Sequence, residues 1–476
     1  MIGGGAAAVA LLDSLLTRAD RFRSGPRIVI YEPSMPAHGM AFGPDLDSAL
    51  INLPVGRMSI RHDDPSDFAR WLGEGGSDSY VPRQLYGEYL ADVLRVSLHY
   101  ATTLGWQVEV VRETATAVDA DGDDLLVRSP ASVRSFSHVV LGLGPGTTAD
   151  PFGLLGSPGF VPDPYPLAER LPDVPANAHV LVIGAGLTAV DVTLGLLRLG
   201  HQGQITMASR SGILPGVRPR LLDLRPQYAT IERLRTRTGG LTLREIWSLI
   251  KAELRGAGYD PDTELSWFRP GISAAGRLRH QLANLDDRPI ESLFDNAPVA
   301  VPPMIRAVLS PAELHDVAFT YRPYLKSIQC PMPPSTGMRL LSAMDAGQLN
   351  VVPGLGAVDH RSGRFTAAAA AAVPAAEVVI DATRVSPRRT AGRARELIQA
   401  LSAGGLVTWD PYDGLVVDSR SRRAIPAPGV RPRRLYAIGE ITVGEFYYAS
   451  SLPAVRRGAD AVAEEFARHA EGRLAS

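Results

Sequence analysis

The sequence predicts an α/β fold made of two Rossmann-like dinucleotide-binding domains with an inserted helical subdomain. Three observations carry that prediction. A glycine-rich turn stands at the N-terminus, a second stands in mid-chain, and helical patterns interrupt the strands of the second unit.

The first turn lies in "MIGGGAAAVALL", where Gly3, Gly5 and Ala8 fit the G-x-G-x-x-G/A spacing. The apolar run from Ala6 to Leu16 is the expected helix, its N-terminus offering free N–H groups and a favourable dipole to a pyrophosphate. Only Met1 and Ile2 precede the turn, so the expectation is a first strand that is incomplete and of doubtful stability, as when a start falls inside the strand. The next strand, "PRIVIYEP", ends in Glu32, where an acid accepts hydrogen bonds from an adenosine ribose. The other reading, an Ala/Gly-rich leader, lacks a basic region ahead of the apolar one.

The second turn is more complete. "AHVLVIGAGLTAVDVTLGLLRLG" has a full apolar strand from Val180 to Ile183, then Gly184, Gly186 and Ala189 in the same spacing. The following strand in "QITMASRSG" ends in Ser209 and Arg210. An acid there favours NAD, whereas a guanidinium and a hydroxyl suit the 2′-phosphate of NADP. A solvated loop arginine is the alternative for Arg210. Two such turns call for two nucleotides, and the economical pairing is FAD at the first and NADPH at the second.

Composition narrows the class. A chain of 476 residues exceeds one compact core. A net charge of −1 argues against a nucleic-acid binder. Cys330 stands alone, which excludes a disulfide framework or a paired-thiol centre, and its thiol is expected to be buried and inert. The histidines show no metal-ligand spacing, so no metal is expected. No apolar stretch reaches the ~20 residues of a membrane span. A cytoplasmic enzyme acting on a small molecule is the default, with association into a homo-oligomer left open.

Further segments resemble the two-dinucleotide-binding flavoproteins. "SHVVLGLGPG", with Gly144, is similar to the strand and turn that close their FAD domain, and "EVVIDATRVSP" is similar to its second-domain counterpart, with Arg384 in place of glycine. "RLYAIGEITVGEF" resembles their C-terminal strand and Gly-Asp pair, as Gly439 and Glu440. "AFGPDLDSALINLPVGRMSIRHDDPSDFARWL" and "YVPRQLYGEYLADVL" resemble the branch related to class B flavoprotein monooxygenases. That resemblance implies an FAD enzyme consuming NADPH and molecular oxygen, which N-hydroxylates an amine or amino acid through a flavin hydroperoxide. Two other classes stay open: an NAD(P)H-dependent flavoprotein reductase or dehydrogenase without productive oxygen use, and a non-catalytic flavin-binding redox partner.

The expected domain order is an FAD segment over residues 1–150, a Gly/Pro-rich linker over 151–171 and a first NAD(P) segment over 172–217. A helical insertion, a lid or substrate wall, follows over 218–325. The NAD(P) domain resumes over 326–383 and the FAD domain over 384–476.

Few catalytic side chains are expected where a flavin does the hard step. In "NLPVGRMS", Asn52 is a candidate hydrogen-bond partner of the flavin ring or nicotinamide and Met58 a candidate to pack on the ring, or both stand in a surface turn. Arg83 is a candidate for an FAD phosphate. Tyr86 and Tyr89 share one helical face and read as core. Within the insertion, Arg269 and Arg322 stand among aromatics as carboxylate clamps or structural ion pairs.

Overall fold

A computed structural model describes residues 1–22, 25–73, 76–147, 150–230, 233–234, 241–269, 271–296, 306, 308–383, 386–445 and 449–472. Arg384 lies outside them. The chain divides into two compact units, one of Met1–Asp47, Leu53–Ala149 and Arg384–Ser476, the other of Ser48–Asn52 and Asp150–Thr383.

The first unit is organised by a parallel sheet whose central strand is as short as the sequence suggests. Strand Arg27–Tyr31 pairs with Gln107–Val111, and Val139–Leu141 pairs with Leu435–Ala437. Ile2 bridges these two pairs, parallel to Tyr31 on one side and to Leu141 on the other. The Met1 nitrogen donates to Val29 O at 2.7 Å, and Tyr31 N donates to Met1 O at 2.9 Å. Ile2 N donates to Val140 O, and Gly142 N to Ile2 O, both at 2.8 Å. Three residues therefore fill the central position with ladder bonds on both sides, a pairing that the shortness of the run did not promise. Ile2 is buried in one cluster with Val29, Tyr31, Val139, Leu141 and Leu435.

Helix Ala6–Leu16 is buried nearly throughout, which fits its apolar sequence. It packs on helices Arg83–Thr103 and Leu452–Gly472. At its end Arg18 pairs with Asp460, and Arg21 pairs with Glu464 and Glu471, each at 2.7 Å. An antiparallel sheet of Ala117–Asp121, Asp124–Ser129 and Ser132–Phe136 completes this unit. Tyr86 and Tyr89 are fully buried beside Phe68, as core residues.

The second unit has a five-stranded parallel sheet in the order 349–352, 205–208, 180–183, 378–381, 160–161. Val180–Ile183 is buried at every position, as a central parallel strand covered on both faces must be. The stretch 151–171, expected as a linker, supplies the edge strand Phe160–Val161 and the short helix Leu167–Arg170. A two-residue strand between glycines and prolines is too short to show a period. Between 208 and 349 the chain builds helices, including Leu243–Gly256, Ala274–Ala283, Pro289–Asn296 and Arg322–Gln329. Their neck is a parallel bridge between Val217 and Met332. Several begin on side-chain caps: Thr242 with Glu245 forms a capping box, and Asp260 and Ser273 accept from the backbone three residues on. Cys330 ends helix Arg322–Gln329 and is half-buried, not buried as expected.

Gly3 has φ +98°, and a Cβ there would lie 2.2 Å from Gly142 O. Gly3→Ala should therefore destabilise the protein by about 2 kcal/mol or more in urea unfolding followed by circular dichroism. Gly43→Ala, at a site with open space and an ordinary backbone, should leave the midpoint unchanged. Equal midpoints for the two variants would mean that the Gly3–Gly142 approach carries no strain.

Candidate dinucleotide-binding sites

Both glycine turns open helices that start on bare backbone. Gly5 is the N-cap of Ala6–Leu16 and Gly186 that of Leu187–Arg198, and neither helix has a side-chain cap. The insertion helices show that this chain uses Thr, Asp and Ser caps elsewhere. The uncapped ends therefore leave N–H donors and the positive end of the helix dipole for an anion, the requirement of a pyrophosphate. Ala8 and Ala189 are buried, holding each helix close to its strand. At Gly184, φ is +122° and a Cβ would lie 2.8 Å from Ala382 O, so the second turn repeats the backbone approach made by Gly3 in the first.

The two sites differ at the end of the next strand. Glu32 is buried and accepts from Gly4 N at 2.9 Å through Oε2. Its Oε1 accepts from Ser34 N at 2.9 Å and Ser34 Oγ at 2.6 Å. The carboxylate thus braces the turn, and its remaining lone pairs fit a ribose diol. In the second unit, strand Ile205–Ala208 ends in Ser209, whose Oγ accepts from Gly212 N at 2.9 Å, and in an exposed Arg210. Only the carbonyl of Arg210 is engaged, accepting from Gly354 N at 3.1 Å. Its guanidinium is held by no partner among the described residues, which suits a 2′-phosphate. The residues present fit FAD at the first turn and NADPH at the second: FAD would supply the redox centre and NADPH the hydride.

Two features were not read from the sequence. Loop residue Ala37 donates to Gly4 O at 2.7 Å, and Gly39 Cα lies 3.4 Å from the position of a Gly5 Cβ, so the "PAHG" stretch covers the first turn. Lys326, from the insertion, has its Nζ 3.7 Å from the position of a Gly186 Cβ, adding positive charge at the second turn. Neither carries a local motif, because each reaches its turn through the tertiary fold.

The other candidates are dispersed. Gly144 (φ +68°) and Gly439 (φ +83°) have open space where a side chain would stand, and Glu440 is buried at the start of a 3₁₀ turn. Arg83 opens helix Arg83–Thr103 and is half-buried. Asn52 belongs to the second unit, where its carbonyl accepts from the buried Arg218 at 3.0 Å. Met58 is buried in the first unit. Arg269 is exposed and Arg322 half-buried.

The segment that holds Met58 is tied to the first dinucleotide helix. Asp13, buried on that helix, takes Arg61 Nη1 at 2.5 Å on Oδ1 and His62 N at 3.2 Å on Oδ2. Burial works against the Arg61 charge, yet the bond to Asp13 keeps its pKa above the ordinary arginine value. Asp13→Asn should cost about 1–3 kcal/mol and loosen FAD, read as a lower melting temperature and a lower ratio of flavin to protein absorbance. Unchanged flavin content would remove the tether from any part in the site.

Residues 1–146 match the family model described as FAD-NAD(P)-binding. No curated protein is similar in sequence. Among solved structures, the ornithine N-hydroxylase of Kutzneria sp. 744 is 15% identical over 98% of both chains, with a TM-score of 0.53. The ornithine hydroxylase of Pseudomonas aeruginosa is 14% identical over 98% of both, with a TM-score of 0.54. The bacillithiol disulfide reductase of Staphylococcus aureus is 11% identical over 98% of this chain and 97% of its own, with a TM-score of 0.50. Residues 1–146 thus match an FAD-NAD(P)-binding model, and the whole chain shares its fold with these hydroxylases and this reductase.

Proposed function

We propose that the protein is an FAD-dependent, NADPH-consuming monooxygenase that N-hydroxylates a small amine or amino acid. The observation that carries the reading is the pair of uncapped glycine turns with unlike strand ends, an acid at the first and an unengaged arginine at the second. The fold likeness to two ornithine hydroxylases over nearly all of this chain supports the oxygenating branch. In this reading Gly3, Gly5 and Glu32 hold the adenosine half of FAD, with Arg83, Gly144, Gly439 and Glu440 around the rest. Gly184, Gly186, Ser209 and Arg210 hold NADPH. Asn52 orients nicotinamide or flavin, and Met58 packs on the flavin ring.

A reductase that makes no productive use of oxygen is the second reading, favoured by the likeness to the bacillithiol disulfide reductase. The single cysteine counts against an intramolecular dithiol centre in it. The experiment that separates the two is NADPH oxidation in air with L-ornithine and L-lysine, scoring hydroxylamine product against hydrogen peroxide. Oxygenation predicts hydroxylamine in step with NADPH consumed. Peroxide alone with every amine offered would favour the reductase.

The cofactor assignment has its own test. Arg210→Ala should weaken NADPH binding by about 10- to 100-fold while leaving NADH nearly unchanged. Equal losses for both nucleotides would remove Arg210 from the 2′-phosphate.

A further inference from the structure

Of the 49 lysines and arginines in the chain only two are lysines, Lys251 and Lys326. An ammonium is a compact point charge and a guanidinium a planar fork, so the two are not interchangeable where space is tight. Lys251 pairs with Asp262 at 2.9 Å. Lys326 stands at the second glycine turn. A Cβ on Gly186 would meet its Nζ at 3.7 Å, and, apart from the turn's own chain neighbours, no other atom of the described residues within 4 Å. At Gly5 the corresponding space is filled by the backbone of Gly39.

Backbone bonds fix Lys326 in that place. It lies on helix Arg322–Gln329, and the carbonyl of the next residue, Ser327, accepts from Gly216 N at 2.9 Å. Gly216 O in turn accepts from Met332 N at 2.7 Å, beside the Val217–Met332 bridge. The charge around the turn makes a cation there consequential. Asp381 is buried and pairs in register with Ile183, the residue before Gly184. Asp191 is buried on the helix that the turn opens and accepts from the Tyr165 hydroxyl at 2.5 Å. Burial raises the pKa of Asp163, and the charge of Asp381 acts in the same direction. Acids at this end of the sheet oppose a pyrophosphate, and a helix end offsets them with only about half a charge. Lys326 brings a full charge into the space that Gly186 leaves open.

We propose that Lys326 binds the pyrophosphate of the second nucleotide, facing the uncapped N-terminus of helix Leu187–Arg198. The inference rests on the reading of that turn as the NADPH site. It divides the work of binding between two cations. Lys326 grips a group that NADPH and NADH share and gives no preference between them, whereas Arg210 supplies the preference. Because Lys326 comes from a helix of the insertion, the insertion is itself part of the nucleotide site.

With two lysines in the chain, amine acetylation followed by peptide mass spectrometry tests this on the unaltered full-length protein. Saturating NADP+ or NAD+ should slow acetylation of Lys326 by about 10-fold or more and leave Lys251 unchanged. Adenosine 2′-monophosphate, which has no pyrophosphate, should protect neither lysine. In calorimetry, Lys326→Gln should weaken NADP+ and NAD+ by the same factor, about 10- to 100-fold, without loss for adenosine 2′-monophosphate. Lys326→Arg should recover only part of that loss. Unslowed acetylation of Lys326 under saturating NADP+ overturns the proposal, as does parent affinity in Lys326→Gln. A loss confined to NADP+ would put Lys326 on the 2′-phosphate and is equally contrary. If Lys326→Gln does not fold, the labelling of the parent decides. A parent that binds neither dinucleotide fails the NADPH reading as a whole, whereas one that binds both with Lys326 unprotected fails this inference alone.

Discussion

Met1, Ile2 and Gly3 occupy the middle of the first parallel sheet, bonded to Tyr31 and Val29 on one side and to Val140 and Gly142 on the other. These backbone bonds join two strand pairs that, among the described residues, share no other ladder. They also fix where the chain leaves the sheet, and hence where Gly5 starts its helix and where Glu32 meets Gly4. A glycine at position 3 is what permits this geometry, because only a residue without Cβ fits beside Gly142 O. The first dinucleotide site is therefore a consequence of three residues held in register.

The second unit reaches the same geometry from a fuller strand. Gly184 meets Ala382 as Gly3 meets Gly142, and Gly186 leaves its helix uncapped. Since the two cradles match, the proposed discrimination between nucleotides rests on what surrounds them. A carboxylate braces the first, whereas Arg210 and Lys326 bring positive charge near the second. Oppositely charged surroundings on similar backbones are a direct way to sort a dinucleotide with a free ribose diol from one with an extra phosphate.

Much of this was legible in the sequence, because the glycine spacing and the residue at the next strand end are local signals. The second turn was read in full, since Val180–Ile183 is a continuous apolar run. The first is only partly legible, because one-residue bridges carry no period and their bonds depend on partners distant in sequence. The edge strand Phe160–Val161 was missed for the same reason. Arg269 and Arg322 drew attention through aromatic neighbours in sequence, yet the insertion buries Arg288 instead, paired with Glu291. Lys326 and the loop around Gly39 were likewise out of reach, as tertiary packing alone brings them to their turns.

The central claim is that the two turns hold different nucleotides. Gly186 offers a clean probe, since its backbone is extended and a side chain there meets nothing closer than Lys326 Nζ at 3.7 Å. Gly186→Val should fold and carry bound flavin like the parent, while anaerobic stopped-flow shows flavin reduction by NADPH slowed by about 100-fold or more, through loss of the close backbone approach to the pyrophosphate. A variant that loses its flavin, or one reduced by NADPH at the parent rate, would contradict the assignment.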